Sequence, residues 1–266
     1  MKFVRDMKSR KPVHDNAVSP VVGVMLMLVV TIIIAAVVSG FAGGLIGGNN
    51  QKAPSLTMDV KISNTGTWIG SGFSAVVTSV SEPIATSNIR IVTSWKTTMK
   101  NNTVYNTTIP NGAVFTGGAT STPGTSNAKY KVPGGGGTGS MKTLIAPFAT
   151  GPGVSVDANP TAPYREQQFG NYSLVEGTGL YALPFGTVSG KAIGGIPGTS
   201  APDGYGNPAP NPYMYTTGGD YTIDATQAIL GFSWEQLRPG DIVTVSVVHT
   251  PSGKVIFQKD VVVSEG

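Results

Sequence analysis

The chain of 266 residues has no cysteine, only two histidines (His14 and His249) and only 12% charged residues. Missing cysteines exclude a disulfide framework, a thiolate metal site, an iron–sulfur cluster and a cysteine nucleophile. Two histidines exclude a histidine-rich metal centre. The chain contains no G-x-x-x-x-G-K-[ST] loop and no G-x-S-x-G elbow. One formal G-x-G-x-x-G match, Gly134 to Gly139, sits in a glycine run without a flanking strand and helix, so it predicts no dinucleotide site. Asp157, Glu166 and Glu176 as a carboxylate pair, or Asp203, Asp220 and Asp224 as oxygen ligands for Ca²⁺, have no recognised spacing. His249, in a strand next to a turn, reads as solvated or structural rather than as the partner of a catalytic serine. The expectation is a protein without catalytic residues, cofactor or metal.

The formal charge of +4 is unevenly placed. Lys2, Arg5, Lys8, Arg10 and Lys11 stand against Asp6 and Asp15 within residues 1–17, so three of the four net positive charges lie there. The remainder is almost neutral and shows no basic stripe, which argues against nucleic acid as a partner.

Between Asp15 and Lys52 no residue is charged, a run of 36. Val21 to Ile46 holds fifteen Val, Leu, Ile or Phe residues. A helix crossing a hydrocarbon core of about 30 Å needs roughly 20 such residues. Each large apolar residue favours insertion by about 0.3 to 0.6 kcal/mol. The basic flank predicts that the N-terminus faces the cytoplasm and that residues after about 50 lie outside. A cleaved secretory signal, with Gly40-Phe41-Ala42 at its end, would have a shorter apolar stretch. A permanent single-span anchor fits the length. Ser19 is a good N-cap and Pro20 suits the first helical position, so a helix starts sharply there. Ala36, Gly40, Gly44 and Gly48 form a small-residue row that lets helices approach closely, or simply mark the helix end.

The run Asn16-Ala17-Val18-Ser19-Pro20-Val21-Val22-Gly23-Val24-Met25-Leu26-Met27-Leu28, behind a basic leader, resembles the N-terminal domain of archaeal type IV pilins. Leu237-Arg238-Pro239-Gly240-Asp241 and Thr250 to Phe257 are similar to methanogen members of that family. The resemblance implies residues 1–17 as a leader, removed by a prepilin peptidase between Ala17 and Val18. Residues 18–46 would then form a helix that starts at Ser19 and Pro20. It would leave the membrane and pack with its copies in a filament core through Val21, Val22, Gly23, Val24, Leu26, Leu28, Val29, Ile32, Ile33, Ala36, Val37 and Gly40. Partners implied are copies of itself, the peptidase, the pilus assembly machinery and, before assembly, the membrane. Bacterial members usually carry glutamate at the fifth mature position; Val22 occupies it here, a departure shared with archaeal members. The Ser-Pro start favours a surface pilus over an archaellum-type motility filament. The rival is a monomeric, membrane-anchored surface binding protein or adhesin.

Residues 47–54 read as a glycine-rich linker and residues 55–266 as an exported β-rich domain. Strands are predicted at Leu56–Ile62, Phe73–Val80, Asn88–Trp95, Asp241–Thr250 and Lys254–Val263 from their alternation. The last two flank Pro251-Ser252-Gly253 as a hairpin. Gln227–Leu237 holds room for a short helical turn. The fold class expected is α+β: a long hydrophobic N-terminal helix, then an all-β sandwich or barrel, immunoglobulin-like, with long Gly/Pro-rich loops. Glycine and proline make up 55 of 266 residues, about a fifth, against roughly 12% ordinarily. They concentrate between Pro110 and Gly219, where small strands (Lys142–Pro147, Tyr172–Val188) and loops are expected on the outer face, with many of the tyrosines packing the loops. Sequons at Asn101, Asn106 and Asn171 are candidate N-glycosylation sites, useful on a charge-poor surface.

Overall fold

The computed structural model describes residues 24–25, 27–32, 35, 52–98, 102–104, 107–109, 112–125, 127–131, 141–157, 163–186, 188–193, 196–202, 204–206, 212–215 and 223–266. The chain divides into two compact units, residues 1–50 and residues 51–266. In the first unit the described residues are helical. In the second, β-structure dominates.

Eight strands form the main sheet: β1 (Leu56–Ser63), β2 (Gly72–Val80), β3 (Ile89–Thr98), β4 (Val114–Ser121), β5 (Phe148–Thr150), β6 (Gly179–Ala182), β7 (Ile242–His249) and β8 (Lys254–Ser264). Their spatial order is β5-β6-β2-β1-β8-β7-β3-β4. Every neighbouring pair is antiparallel except β1 and β8, which run parallel with Ile62 opposite Val263 and Ser63 opposite Ser264. Two antiparallel four-stranded halves thus meet at one parallel seam, giving an open half-barrel. The expectation of a sandwich or barrel gave the correct β content. Among the described residues the sheet is open rather than a closed ring, with β4 and β5 as its edges.

Period-two alternation sets the inner face. Leu56, Met58, Val60 and Ile62 of β1, Phe73, Ala75 and Val77 of β2, and Val243, Val245 and Val247 of β7 are buried. Thr57, Asp59 and Lys61 point outward from β1. The five strands predicted by alternation match β1, β2, β3, β7 and β8 within a few residues. Residues 110–219 do more than decorate the outside. They supply β4, β5 and β6 to the main sheet, along with strands of three short ribbons, Ser173–Leu174 with Ile84–Ala85, Ala128–Lys131 with Met141–Leu144, and Val188–Ile193 with Ile196–Pro202. Tyr172, Tyr205 and Tyr215 are buried.

A short helix, Ala225–Leu230, lies on the buried face and touches strands from both halves, β2 and β6 on one side and β3 and β4 on the other. Trp95 reaches it from β3 across Gly117 of β4; a Cβ at Gly117 would stand 2.2 Å from the indole. Only glycine permits that approach. Gly231, with φ +86, ends the helix against Gly118, and a Cβ there would meet the Gly118 carbonyl at 2.4 Å.

Candidate functional site

Of the residues assigned to the assembly helix, Val24, Leu28, Val29 and Ile32 are described. All four are helical and exposed. Met25 and Met27 join them, Met27 at 72% exposure, so this helix presents apolar side chains to its surroundings. Thr31 folds its hydroxyl back to the Leu28 carbonyl at 2.8 Å, which removes the one hydroxyl of this stretch from competition with an apolar environment. Among the described residues no helix is long and apolar enough to cross a membrane. Ala17, Val18, Ser19, Pro20, Val21, Val22, Gly23, Leu26, Ile33, Ala36, Val37 and Gly40 lie outside the described residues, as do Asn101 and Asn106.

Asn171 is described and exposed, on the turn between the 3-10 turn Arg165–Gln167 and the strand Ser173–Leu174. Its Nδ2 donates to the Arg165 carbonyl at 2.8 Å. A glycosylated amide keeps one N–H, so a glycan and this bond are chemically compatible. The neighbouring Tyr172 is buried and donates its hydroxyl to the Pro147 carbonyl at 3.0 Å. Burial pushes that phenol well above its ordinary pKa.

The acidic residues considered for catalysis or metal divide differently. Asp157 and Glu176 are exposed and Glu166 is half-buried. Asp203 and Asp220 lie outside the described residues. Asp224 is no open ligand, because both its oxygens are occupied. Oδ1 accepts from the Gln227 N–H at 2.8 Å; Oδ2 accepts from the Tyr215 hydroxyl at 2.7 Å and from the Phe185 N–H at 3.1 Å. It is the N-cap of the 225–230 helix, and Gln227 completes a capping box. Burial raises its pKa to about 6 despite these donors, which pull the other way. Among the described residues no group of three or more His, Cys, Asp or Glu is placed to hold a metal. His249 does meet a serine: its Nδ1 is 2.9 Å from Ser252 Oγ. That serine also receives the Lys254 N–H at 3.4 Å, so the pair closes the β7–β8 turn.

Sequence reasoning missed a polar cluster inside the domain. Trp234 donates its indole N–H to Tyr215 at 2.8 Å, and Tyr205 stacks on Tyr215 with ring centroids 4.9 Å apart. The Tyr205 hydroxyl donates to Asn64 Oδ1 at 2.5 Å, and Asn64 Nδ2 donates to the Leu237 carbonyl at 2.8 Å. Beside them Glu235 is buried, with its pKa raised to about 7 by desolvation. Among the described residues Glu235 Oε2 and Gln236 Oε1 are buried acceptors without a donor. Arg238 covers Tyr213, with its guanidinium carbon 3.9 Å from the ring centroid. The D-x-x-Q spacing of Asp224 and Gln227 is the one signal in the sequence that leads into this cluster. It is a structural core, linking the start of the helix to the end of β1.

No curated protein and no solved structure matches the chain. Residues 16–58 match the family described as archaeal type IV pilin, N-terminal. With its uncharged run, its Ser-Pro start and its outward-facing apolar helix residues, the chain is similar over residues 16–58 to the N-terminal segment of archaeal type IV pilins.

Proposed function

We propose that the protein is a non-catalytic structural subunit of a type IV pilus-like filament, polymerising through residues 18–46 and displaying the half-barrel on the cell surface. The observation that carries this reading is the family match over residues 16–58, joined to the exposed Val, Leu, Met and Ile side chains of the described helical residues. An apolar helix surface is costly in water and stable either in lipid or against like surfaces. Leader removal between Ala17 and Val18 by a prepilin peptidase frees the helix from its charged flank. The bilayer holds the precursor, and copies of the same helix replace lipid in the filament. Adhesion is the role of the displayed domain, and glycans at Asn101, Asn106 or Asn171 keep its charge-poor surface hydrated.

Intact mass and sedimentation of the native protein test the proposal together. Support is an N-terminus at Val18 in material that pellets as filaments. Retention of residues 1–17 in a detergent-soluble monomer would favour the anchored surface protein instead, and cleavage after Ala42 an ordinary secreted one. Rotation of tethered cells by these filaments would assign the archaellum role.

A further inference from the structure

A cavity of about 480 Å³ lies where the chain enters the half-barrel, lined by Lys52 ahead of β1, by Glu82 and Asn88 beyond β2, and by His249 and Pro251 at the β7–β8 turn. Hydrogen bonds fix its walls. Ser81 donates its N–H to the Ser55 carbonyl at 3.1 Å, and its Oγ accepts the Ser55 N–H at 3.0 Å. This ties the segment before β1 to the one after β2. Thr250 donates its N–H to the Asn88 carbonyl at 2.8 Å, which ties the turn to the remaining wall.

The polar side chains of this cavity have bonding capacity to spare. His249 is only 8% exposed, yet its Nε2 has no partner among the described residues and is not sealed from solvent. The small open part of the ring lines the cavity. Ser252 sets which nitrogen carries the proton. Its Oγ accepts the Lys254 N–H at 3.4 Å and has one hydroxyl proton to give. The nearer acceptor is His249 Nδ1 at 2.9 Å, against 3.5 Å for the His249 carbonyl. That pattern assigns the imidazole proton to Nε2, a donor into the cavity. Lys52 and Glu82 are both exposed and line the same cavity, but they form no ion pair with each other or with any other described residue.

Simple ligands leave one of these groups unmatched. A plain anion meets Glu82 as a like charge, a plain cation meets Lys52, and a neutral sugar answers neither charge. A ligand with both an anionic and an ammonium group answers both. Position in the chain points to its source. Lys52 is the first charge after the uncharged run, and residues 47–51 alone separate it from Ile46. Fully extended, that connection spans at most about 20 Å. A helix end at the bilayer surface therefore keeps this cavity close to the headgroups, where a flanking lysine settles.

We infer that this cavity holds the headgroup of a zwitterionic aminophospholipid, whose phosphate takes the His249 N–H and the Lys52 ammonium and whose ammonium takes the Glu82 carboxylate. The inference rests on the proposed reading that the bilayer holds residues 18–46 of the precursor. It gives the half-barrel a seat on the membrane surface, which the domain leaves when the helix enters the filament.

The test uses the full chain with His14→Gln, so that His249 is its one imidazole, isotope-labelled at histidine in nanodiscs of a neutral galactolipid. A chain that elutes apart from the discs refutes the bilayer reading, and the inference with it. In a chain that co-elutes, the site is tested separately by magnetic resonance of His249 Nε2. Doping the discs with phosphatidylethanolamine should shift this resonance at about tenfold lower lipid fraction than phosphatidylcholine, whose trimethylated nitrogen has no N–H for Glu82. Glu82→Gln removes that preference, and Lys52→Gln weakens the response about tenfold. Lys96→Gln, at the other end of β3 from Asn88, changes neither. No shift with either lipid, equal shifts with both, or a preference that survives Glu82→Gln would overturn the inference. So would a shift with soluble O-phosphoethanolamine and none with the doped lipid, which would make the ligand a free zwitterion. Lys52 and Glu82 are exposed, so both variants keep the fold.

Discussion

Glu235 shows how far a single side chain departs from what its sequence position suggests. It sits in Trp-Glu-Gln, as polar a stretch as many on the surface, yet it is buried, and one carboxyl oxygen has no donor among the described residues. Its pKa is raised from 4.5 to about 7, and that of Asp224 from 3.8 to about 6, by desolvation in both cases. The folded protein therefore keeps these protons to higher pH than the unfolded chain does. The stabilising contribution is complete below about pH 4 and is lost as pH rises through about 6 to 7. Each group contributes on the order of 3 kcal/mol to that change. Thermal unfolding should accordingly occur at higher temperature at pH 5 than at pH 8. Glu235→Gln, with no proton to lose, should narrow the gap; a gap of the same size would refute the role given to Glu235. Nothing near Glu235 in sequence announces this burial: Asn64, which donates to its backbone carbonyl, and Tyr205 and Tyr215, close enough to feel its charge, are all distant in the chain.

At the scale of elements, the six residues Ala225–Leu230 are far too few to hold a helix alone. The sheet supplies what the helix lacks. Its last carbonyls receive side chains from two strands: Ser121 bonds the Ala228 carbonyl at 3.2 Å, Thr93 bonds that of Ile229, and the Trp95 indole bonds that of Leu230 at 2.7 Å. Thr226 returns a bond to the Ala182 carbonyl at 2.9 Å. Asp224→Ala would orphan three donors and is expected to cost about 3 kcal/mol or more. Thr93→Val preserves shape but removes the bond to Ile229, with an expected cost of about 1 to 2 kcal/mol. Chemical denaturation followed by fluorescence of the buried Trp95 and Trp234 measures both; a loss under 1 kcal/mol for Asp224→Ala would contradict the capping account. The start of this helix leaves a local signal in Asp224 and Gln227, although the turn expected from the sequence, Gln227–Leu237, began too late and Asp224 was considered there as an ion ligand. Its other end leaves none, because Thr93, Trp95 and Ser121 lie more than 100 residues away. β4 was equally hidden: Gly117 and Gly118 interrupt the alternation that reveals a strand, and they are needed there to admit Trp95.

For the whole molecule, the sequence was clearest where a physical requirement runs over many consecutive residues. An uncharged run of 36 residues behind a basic N-terminus narrows the segment to an anchor, a secretory signal or an assembly helix, and the family match over residues 16–58 favours the last. Five strands with intact alternation were equally open to reading. The order of strands was not, because the parallel seam joins β1 to β8 across almost the entire domain. The proposed role of the N-terminal helix is testable without disturbing that domain. Val29→Asp and Ile32→Asp each place a charge costing about 2.5 to 3.5 kcal/mol in an apolar environment. The double variant should leave the membrane fraction and form no filaments, while tryptophan fluorescence of the half-barrel stays native. Filaments at wild-type number would exclude this helix as the assembly element.

The central place of β1 has a mechanical consequence. The strand begins at Leu56, a short stretch after Lys52, and ends at the loop bearing Trp68, with β2 paired along it from Leu56 to Ser63 and β8 at its far end. Tension applied between Lys52 and Ile69 runs parallel to β1, so its cross-strand bonds carry the load together, in shear. Tension between Lys52 and Ser81 acts at the same end of the β1–β2 pair and opens it bond by bond. Single-molecule pulling through these two pairs of attachment points should give a distinctly higher rupture force for the first. A molecule held at one end of β1 and gripped at the other would resist drag along its strongest direction.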